Sequence, residues 1–411
     1  MTDKNWIKKL VINLEVYHMR IKIKDIADVF DGPHATPKKT KKGPYYLGIN
    51  AISDNGKIDL GNSAHLSDED YVKWTKRVEP RENDIVFSYE ATLGRYAILP
   101  KNFHGSLGRR LALIRVKSPE VNVKWLYYYF YSPTWKKYIA NRIVYGSTVN
   151  RISVDDFPNY EIDLPERQLQ DRMVNVLSDI DEKYDLNNHM LDLLQDGISE
   201  IFDHWFLQYD FPDENNKAYK SNGGQLKYEP KLQCRIPVNW HAEKIENVIK
   251  QNSKSKISVK TVNNQGNIPF FTSGENVLYT SKSLVNGMNM FLNTGGDADV
   301  KSYYGSASYS TDTWSITAKN GLEYYLPFLF DKFKPSMDQV FFQGTGLRHL
   351  QKDLFLNHWI CIPDNDTVNS FAIIADNYFK KRTLILQENN KLMQIRNYLI
   401  PLLLTGQCKI I

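Results

Sequence analysis

Gly146-Ser-Thr-Val-Asn-Arg-Ile-Ser-Val-Asp-Asp-Phe-Pro-Asn-Tyr-Glu-Ile-Asp-Leu-Pro-Glu166 returns without a gap, 198 residues later, as Gly344-Thr-Gly-Leu-Arg-His-Leu-Gln-Lys-Asp-Leu-Phe-Leu-Asn-His-Trp-Ile-Cys-Ile-Pro-Asp364. Six of the 21 pairs are identical: Gly146/Gly344, Asp155/Asp353, Phe157/Phe355, Asn159/Asn357, Ile162/Ile360 and Pro165/Pro363. About one identity is expected between unrelated stretches of this length, so a large unit is duplicated within the chain. A long helical pattern follows each copy, and a stretch rich in Tyr, Lys and turn formers precedes each. The expected fold class is therefore α+β: two globular heads of mixed α/β character, separated by two long helices that form an antiparallel coiled coil, with a pseudo-twofold internal repeat.

The first helical pattern is the stronger one. Apolar residues recur at Leu169, Met173, Leu177, Ile180, Tyr184, Leu191, Leu194, Ile198, Ile201 and Trp205. From Leu177 the steps alternate three and four, and only Asn187 interrupts the stripe, which is the signature of a coiled-coil seam. A polar Asn in such a seam costs stability and fixes register. The second pattern carries Val368, Phe371, Ala375, Tyr378, Ile385, Leu392, Ile395, Leu399 and Leu403, broken by Arg382 and Asn389. Pro401 is expected to bend or end this helix, and Gly406 to stop it. The two stripes either bury each other or pack separately, each into its own head.

Working outward, the heads read as short β-prone runs between Gly, Asn and Asp turns. In the first these are Pro44-Tyr-Tyr-Leu-Gly-Ile49, Asp84-Ile-Val-Phe-Ser-Tyr-Glu90 and Leu111-Ala-Leu-Ile-Arg-Val116, with a helix over Val123–Tyr131. In the second they are Ile268–Gly274, Met290–Leu292 and Thr313–Thr317. Ile21–Phe30 and Ala242–Ile249 open the two heads alike, as a strand running into a helical turn. The expected divisions are 1–19 (an appended amphipathic segment with Trp6, Leu10, Ile12 and Leu14), 20–165 (first head), 166–210 (central helical spacer), 211–235 (exposed linker), 236–363 (second head) and 364–411 (C-terminal helical spacer).

At 411 residues, with 42% hydrophobic and 24% charged residues, the composition is that of an ordinary multidomain globular protein. No apolar run approaches the roughly 18 residues that span a bilayer, and the start lacks a signal-peptide pattern, so no membrane and a cytoplasmic location are expected. Cys234, Cys361 and Cys408 are odd in number and far apart, which suits a reducing compartment. The net charge of +5 conceals an asymmetry. Residues 20–151 hold 23 Lys and Arg against 13 Asp and Glu, whereas residues 152–235 hold 8 against 18. Phosphate backbones attract the first region and repel the second.

Catalytic patterns are missing from the sequence. It has no P-loop, no Gly-x-Gly-x-x-Gly after a strand, no Asn/Asp-Pro-Pro-Tyr/Phe run, no His-Glu-x-x-His and no Gly-x-Ser-x-Gly. Histidine and cysteine spacing predicts no metal site. Asp181-Glu182-Lys183 looks like half of a nuclease site but lies in the coiled-coil pattern, where a solvated helix face is the plainer reading. The chain is thus expected to hold no cofactor and to perform no covalent chemistry alone.

Binding signals are more frequent. Lys38, Lys39, Lys41 and Lys42 form a basic loop beside Tyr45 and suit phosphate contact. Ser88, Tyr89 and Arg95 flank one turn, and Arg109 and Arg110 another, where Arg can pair with guanine edges. Ser147, Thr148 and Arg151 belong to the repeated turn, as do Thr345 and Arg348 in its second copy. Thr272, Ser273, Lys301, Tyr303 and Lys319 are weaker signals in the second head. For each alone, an ordinary exposed loop is the alternative. Tyr127–Tyr131 reads instead as core packing.

These residues carry a family likeness. Gly146-Ser-Thr-Val-Asn-Arg-Ile before Phe157-Pro and a Pro-capped strand, Phe87-Ser-Tyr-Glu-Ala-Thr-Leu-Gly-Arg95, Leu107-Gly-Arg-Arg-Leu-Ala-Leu-Ile-Arg115, His204-Trp-Phe206, Tyr219-Lys-Ser-Asn-Gly-Gly224 and Ile236-Pro-Val-Asn-Trp240 together resemble the specificity subunit of type I restriction–modification systems, over about residues 20–411. The resemblance implies a non-catalytic subunit that binds double-stranded DNA, with two target recognition domains, each reading half of a split sequence, and helices that set the spacing. It also implies methyltransferase subunits docked on the helices, and restriction/translocase subunits joined through them, so that S-adenosylmethionine, ATP and Mg belong to the partners. The second copy departs from the pattern with Gly346-Leu-Arg-His349, and its head is nearly neutral. The alternatives are a methylation-only system and a protein–protein scaffold with heads that bind no DNA.

Overall fold

The computed structural model describes residues 10–11, 18–53, 56–61, 63–146, 149–405 and 409–410. The fold is mixed α+β, with two β-rich units and two long helices, Arg167–Phe202 and Asn365–Leu404. The division between units falls inside both helices: one unit holds the described residues up to Glu182 and from Met393 onward, the other Lys183–Leu392. Each unit therefore contains a segment of each long helix, and sequence-based boundaries at the helix ends do not follow the compact bodies. Of the segment 1–19, only residues 10, 11, 18 and 19 are described; Leu10–Val11 pair antiparallel with Lys409–Ile410.

In the first unit a four-stranded antiparallel sheet runs in the order Ala27–Asp31, Leu111–Val116, Ile85–Ser88, Tyr96–Ile98. A three-stranded sheet runs Ala64–His65, Thr40–Leu47, Gly105–Leu107, its last pair parallel. Leu47, Ile52, Val86, Ala97, Leu107 and Leu113 make a small core. The larger core gathers Phe87, Tyr96, Trp125, Phe130, Trp135 and Phe157 with Leu169, Met173 and Leu177 of one long helix and Leu399, Ile400 and Leu403 of the other. The helix Val123–Tyr131 starts where expected, because Asn122 Oδ1 accepts from the amides of Lys124 (2.9 Å) and Trp125 (3.3 Å). Tyr127, Tyr128 and Tyr129 are buried and Tyr131 is partly buried, in keeping with the reading of these rings as core packing.

The second unit repeats this topology strand for strand. Its four-stranded sheet runs Ile249–Gln251, Thr313–Ala318, Met288–Asn293, Val300–Tyr304, and its three-stranded sheet Leu278–Thr280, Ile268–Phe271, Ser308–Tyr309, again with a parallel last pair. The duplication thus extends beyond the stretch where identities survive. In that stretch Glu161–Pro165 pairs with His18–Lys22 and Trp359–Ile362 with His241–Lys244, while Phe157 and Phe355 are fully buried. The repeated glycines have a steric reason. A Cβ at Gly146 would lie 2.5 Å from the Val149 carbonyl, and one at Gly344 would lie 2.8 Å from that of Leu347.

Residues 211–235, read as an exposed linker, are built into the second unit. Phe211 stacks on Tyr219 (4.6 Å) and Trp240 (5.3 Å), and Leu226–Glu229 forms a hairpin with Cys234–Pro237. The regular part of the first long helix ends at Phe202 rather than Trp205. A π-turn, Asp203–Leu207, carries Phe206 into the core against Tyr325 and Phe371. Pro401 neither ends nor interrupts its helix, because it lies in the last turn, where the Thr405 amide still bonds its carbonyl (3.0 Å).

The helix segments run antiparallel within each unit. In the second, Tyr378 Oη donates to Gln195, Phe202 packs on Phe371, and Asn187 Nδ2 donates to Asn389 Oδ1 (2.8 Å) and Glu388 Oε2 (2.7 Å). Asn389 Nδ2 in turn donates to Asn188 Oδ1 (2.9 Å). The two stripe-breaking asparagines are thus buried partners that satisfy each other. In the first unit Arg396, 4% exposed, donates to Asp181 Oδ1 (2.7 Å), which also neighbours Tyr128; Asp181 Oδ2 accepts from Tyr128 Oη (2.8 Å). Asp181 is therefore no solvated face but the anion of a largely buried ion pair.

Asn187→Leu strands the Asn389 amide oxygen and should cost about 1–3 kcal/mol in urea unfolding with helical circular dichroism retained. Adding Asn389→Leu should recover most of that loss, since both polar groups then leave the seam.

Candidate nucleic-acid interface

Hydrogen-bond register aligns the turns of the two units residue by residue. In the first, Gly108 N donates to Leu47 O (2.8 Å), Leu111 N to Gly108 O (3.3 Å), Tyr89 N to Arg110 O (3.2 Å) and Ile152 N to Tyr89 O (2.7 Å). In the second, Ser310 N donates to Phe271 O (2.9 Å), Thr313 N to Ser310 O (3.2 Å), Thr294 N to Asp312 O (3.4 Å) and Leu350 N to Thr294 O (3.1 Å). Isolated bridges match as well, Glu90 to Arg151 and Gly295 to His349. Gly108-Arg109-Arg110 and Ser310-Thr311-Asp312 are thus equivalent turns. Arg151 is equivalent to His349, and Arg95 to Asp299, since Ser88 N→Arg95 O (3.0 Å) matches Asn293 N→Asp299 O (3.1 Å).

The first unit brings Arg109, Arg110 and Arg151 together around this turn. Arg109 is exposed, and its amide is pinned by Tyr46 Oη (3.0 Å). Arg110 adopts φ 77°, left-handed for a residue with a Cβ, and pairs with Glu90 (2.9 Å). Arg151 is exposed. Lys38 and Lys39 are exposed, and so are Lys41 and Lys42, but the latter two belong to the strand Thr40–Leu47 rather than to a loop. Tyr45 is half-buried against His65 (4.9 Å). Ser147 and Thr148 lie outside the described residues.

Other predicted contacts turn inward. Ser88 is fully buried, its hydroxyl accepting from the Arg95 amide (3.1 Å) and donating to the Thr92 carbonyl. Tyr89 is buried; burial, and then the neighbouring Asp31, push its hydroxyl well above the usual phenol range. Arg95 donates to the Ile52 carbonyl (3.0 Å). In the second unit Thr272 is buried and accepts from the Gly274 amide (3.1 Å), and Tyr303 is buried against Phe271. Lys301 pairs with Asp299 (2.7 Å) and donates to Thr272 O (3.2 Å). Arg348 clamps Asp338 (2.9 Å) and Asp297 (2.6 Å). The Ala298 amide and Arg348 hold the Asp338 carboxyl below the ordinary carboxylate range. Ser273 Oγ donates to the Asp312 carbonyl, and Lys319 and Thr345 are exposed. These residues serve the local fold, and only the exposed ones are carried forward as contacts.

Two features escaped the sequence reading. A cavity of about 490 Å³ in the first unit is lined by Asp31, His34, Lys73, Trp74, Lys76 and Arg77. Asp31 pairs there with His34 (2.8 Å) and lies 3.9 Å from Arg77. In the second unit Lys254, Lys256 and Lys260 are exposed on the segment after Ile249–Gln251, which the Thr311 N→Ile257 O bond (3.1 Å) ties to the turn. Lys73-Trp-Thr-Lys-Arg77 and Lys254-Ser-Lys256 are legible as basic clusters once their neighbours are known.

Among the described residues no group of three or more His, Cys, Asp or Glu is placed to hold a metal ion, and no helix is long and apolar enough to cross a membrane. Residues 18–195 match the family described as the type I restriction modification DNA specificity domain. Over that stretch the chain is similar to the specificity subunits of type I restriction–modification systems. It is similar to the type I restriction enzyme MjaIX specificity subunit of Methanocaldococcus jannaschii, with 22% identity over 428 aligned residues covering 95% of this chain and 93% of the relative. The crystal structure of the type I restriction–modification S subunit from M. genitalium shares the fold, with a TM-score of 0.54, 16% identity and coverage of 96% of this chain and 98% of that one. The HsdS subunit from Thermoanaerobacter tengcongensis matches at a TM-score of 0.33 and 13% identity, over 96% and 98% of the two chains.

The turn in the first unit depends on a close approach. A Cβ at Gly32 would lie 2.3 Å from the Leu111 carbonyl, so Gly32→Ala should lower stability by about 1–3 kcal/mol. Gly48→Ala, with nothing within 4 Å, should change the melting temperature little, and a comparison of the two melts checks the packing.

Proposed function

We propose that each unit reads one half of a bipartite duplex target through the face that carries its equivalent turn. The observation behind this reading is that one hydrogen-bond register presents different side chains in the two units: exposed Arg109 and Arg151 with half-buried Arg110, against exposed Asp312 and His349 with half-buried Thr311. A common scaffold with divergent tips is what two readers of unlike half-sites require. Exposed lysines supply sequence-independent phosphate contacts, Lys38 and Lys39 in one unit and, on the segment tied to the turn through Ile257, Lys254 and Lys256 in the other. The long helices set the interval between half-sites and offer docking surfaces for methyltransferase subunits, with restriction/translocase subunits joining through these. S-adenosylmethionine, ATP and Mg act on those partners.

Reconstitution with the methyltransferase subunits, followed by mapping of methylated adenines, should return a split motif that depends on this chain. A contiguous motif, or methylation without the chain, would overturn the reading. Lys38→Ala with Lys39→Ala should weaken binding to all duplexes about equally and reduce the slope of log affinity against log salt by about 2, measured by titration at several salt concentrations.

A further inference from the structure

The equivalent turns differ in hydrogen-bonding sense as well as in identity. Arg109 can only donate, and its side chain is exposed while its amide is fixed by Tyr46. At the next equivalent position the second unit presents Asp312, an exposed carboxylate that can only accept when ionised. Its backbone is held firmly: the Asp312 carbonyl accepts from Ser273 Oγ, from Thr294 Oγ1 (2.8 Å) and from the Thr294 amide (3.4 Å). The turn is pinned further by the Ser310 Oγ···Thr313 Oγ1 bond (2.9 Å) and by Thr311 N→Ile257 O (3.1 Å). Thr311 Oγ1 lies 3.4 Å from Asp312 Oδ1, so the hydroxyl steadies the carboxylate. Such a side chain on a rigid turn is pre-organised for directional recognition.

A lone carboxylate directed at phosphate would be repelled, yet lysines flank this turn. An Asp beside basic groups on a nucleic-acid face is therefore best matched to a base edge that donates. In the major groove the cytosine edge offers its N4 amino group with no adjoining acceptor, whereas adenine places N7 beside N6 and would repel one carboxylate oxygen. Guanine, with O6 and N7, is the matching edge for Arg109.

Resting on the reading of both units as half-site readers, we infer that Arg109 specifies a guanine in the half-site of the first unit and Asp312 specifies a cytosine in that of the second. The two turns act as a donor reader and an acceptor reader on one backbone plan.

Changes of preference test this more sharply than losses, because a misfolded variant does not acquire a new specificity. The complex of this chain with its methyltransferase subunits is presented with a duplex library randomised at each recognised position. Arg109→Gln should move one position of one half-site from guanine to adenine, and Asp312→Asn should move one position of the other from cytosine to adenine, each by about ten- to a hundredfold in relative preference. The other half-site should stay as it was in each case, and the salt dependence of binding by the Asp312 variant should keep its slope. An unchanged motif, or a uniform weakening across all sequences, in both variants would overturn the assignment of these residues. Failure of the unmodified complex to select any sequence would instead remove the half-site reading on which the inference rests.

Discussion

The apolar core of each unit takes in segments of both long helices. In the first unit, Leu169, Met173 and Leu177 have Leu399, Ile400 and Leu403 in the same core, from a segment more than 200 residues away in sequence. In the second, Ile198 and Phe202 share a core with Val368, Phe371 and Ala375. Burial of these stripes is the constraint from which the rest follows, since an amphipathic helix of 36 or 40 residues gains its stability from packing one face rather than from propensity. The strands that precede each helix, Glu161–Pro165 and Trp359–Ile362, pair with His18–Lys22 and His241–Lys244 and so tie the start of each unit's sheets to a long helix.

Polar residues within that apolar requirement set its register. Asn187 and Asn389 would be costly alone and are satisfied together, and Arg396 finds Asp181 and the ring of Tyr128. Buried ion pairs of this kind fix geometry more reliably than they add stability. Their placement suits a protein whose helices must meet in one alignment only.

Much of this was legible in the chain. The helix Val123–Tyr131 is legible from its run of apolar and aromatic residues, and the seam from Leu177 from the regularity of its steps. The paired role of Asn187 and Asn389 was half visible: each breaks a stripe, but the sequence does not say that the breaks meet. Asp181 was misjudged for the same reason, as its cation is supplied 215 residues later. Ser88, Tyr89 and Tyr303 read as surface groups in the sequence because a polar residue at a strand end can face either way, and here each side chain is buried. The second unit's sheets escaped notice as a repeat because backbone hydrogen bonds, which define the topology, leave no mark on side-chain identity. The duplication stays readable where a glycine must admit a carbonyl and where a Phe or an Ile fills a core.

The division of the chain also has a consequence in time. The second unit is one uninterrupted stretch, Lys183–Leu392, whereas the first is completed only by residues from Met393 onward. During synthesis at roughly 5–20 residues per second, about 210 residues separate the two parts of the first unit, an interval of roughly 10–40 s. Throughout that interval Met173 and Leu177 lack the Leu399 and Leu403 that share their core, and the unit made later has its whole sequence before those residues arrive. The half of the molecule that leaves the ribosome first is therefore the last to become native, and it passes that wait with an apolar stripe open to chaperones or to aggregation.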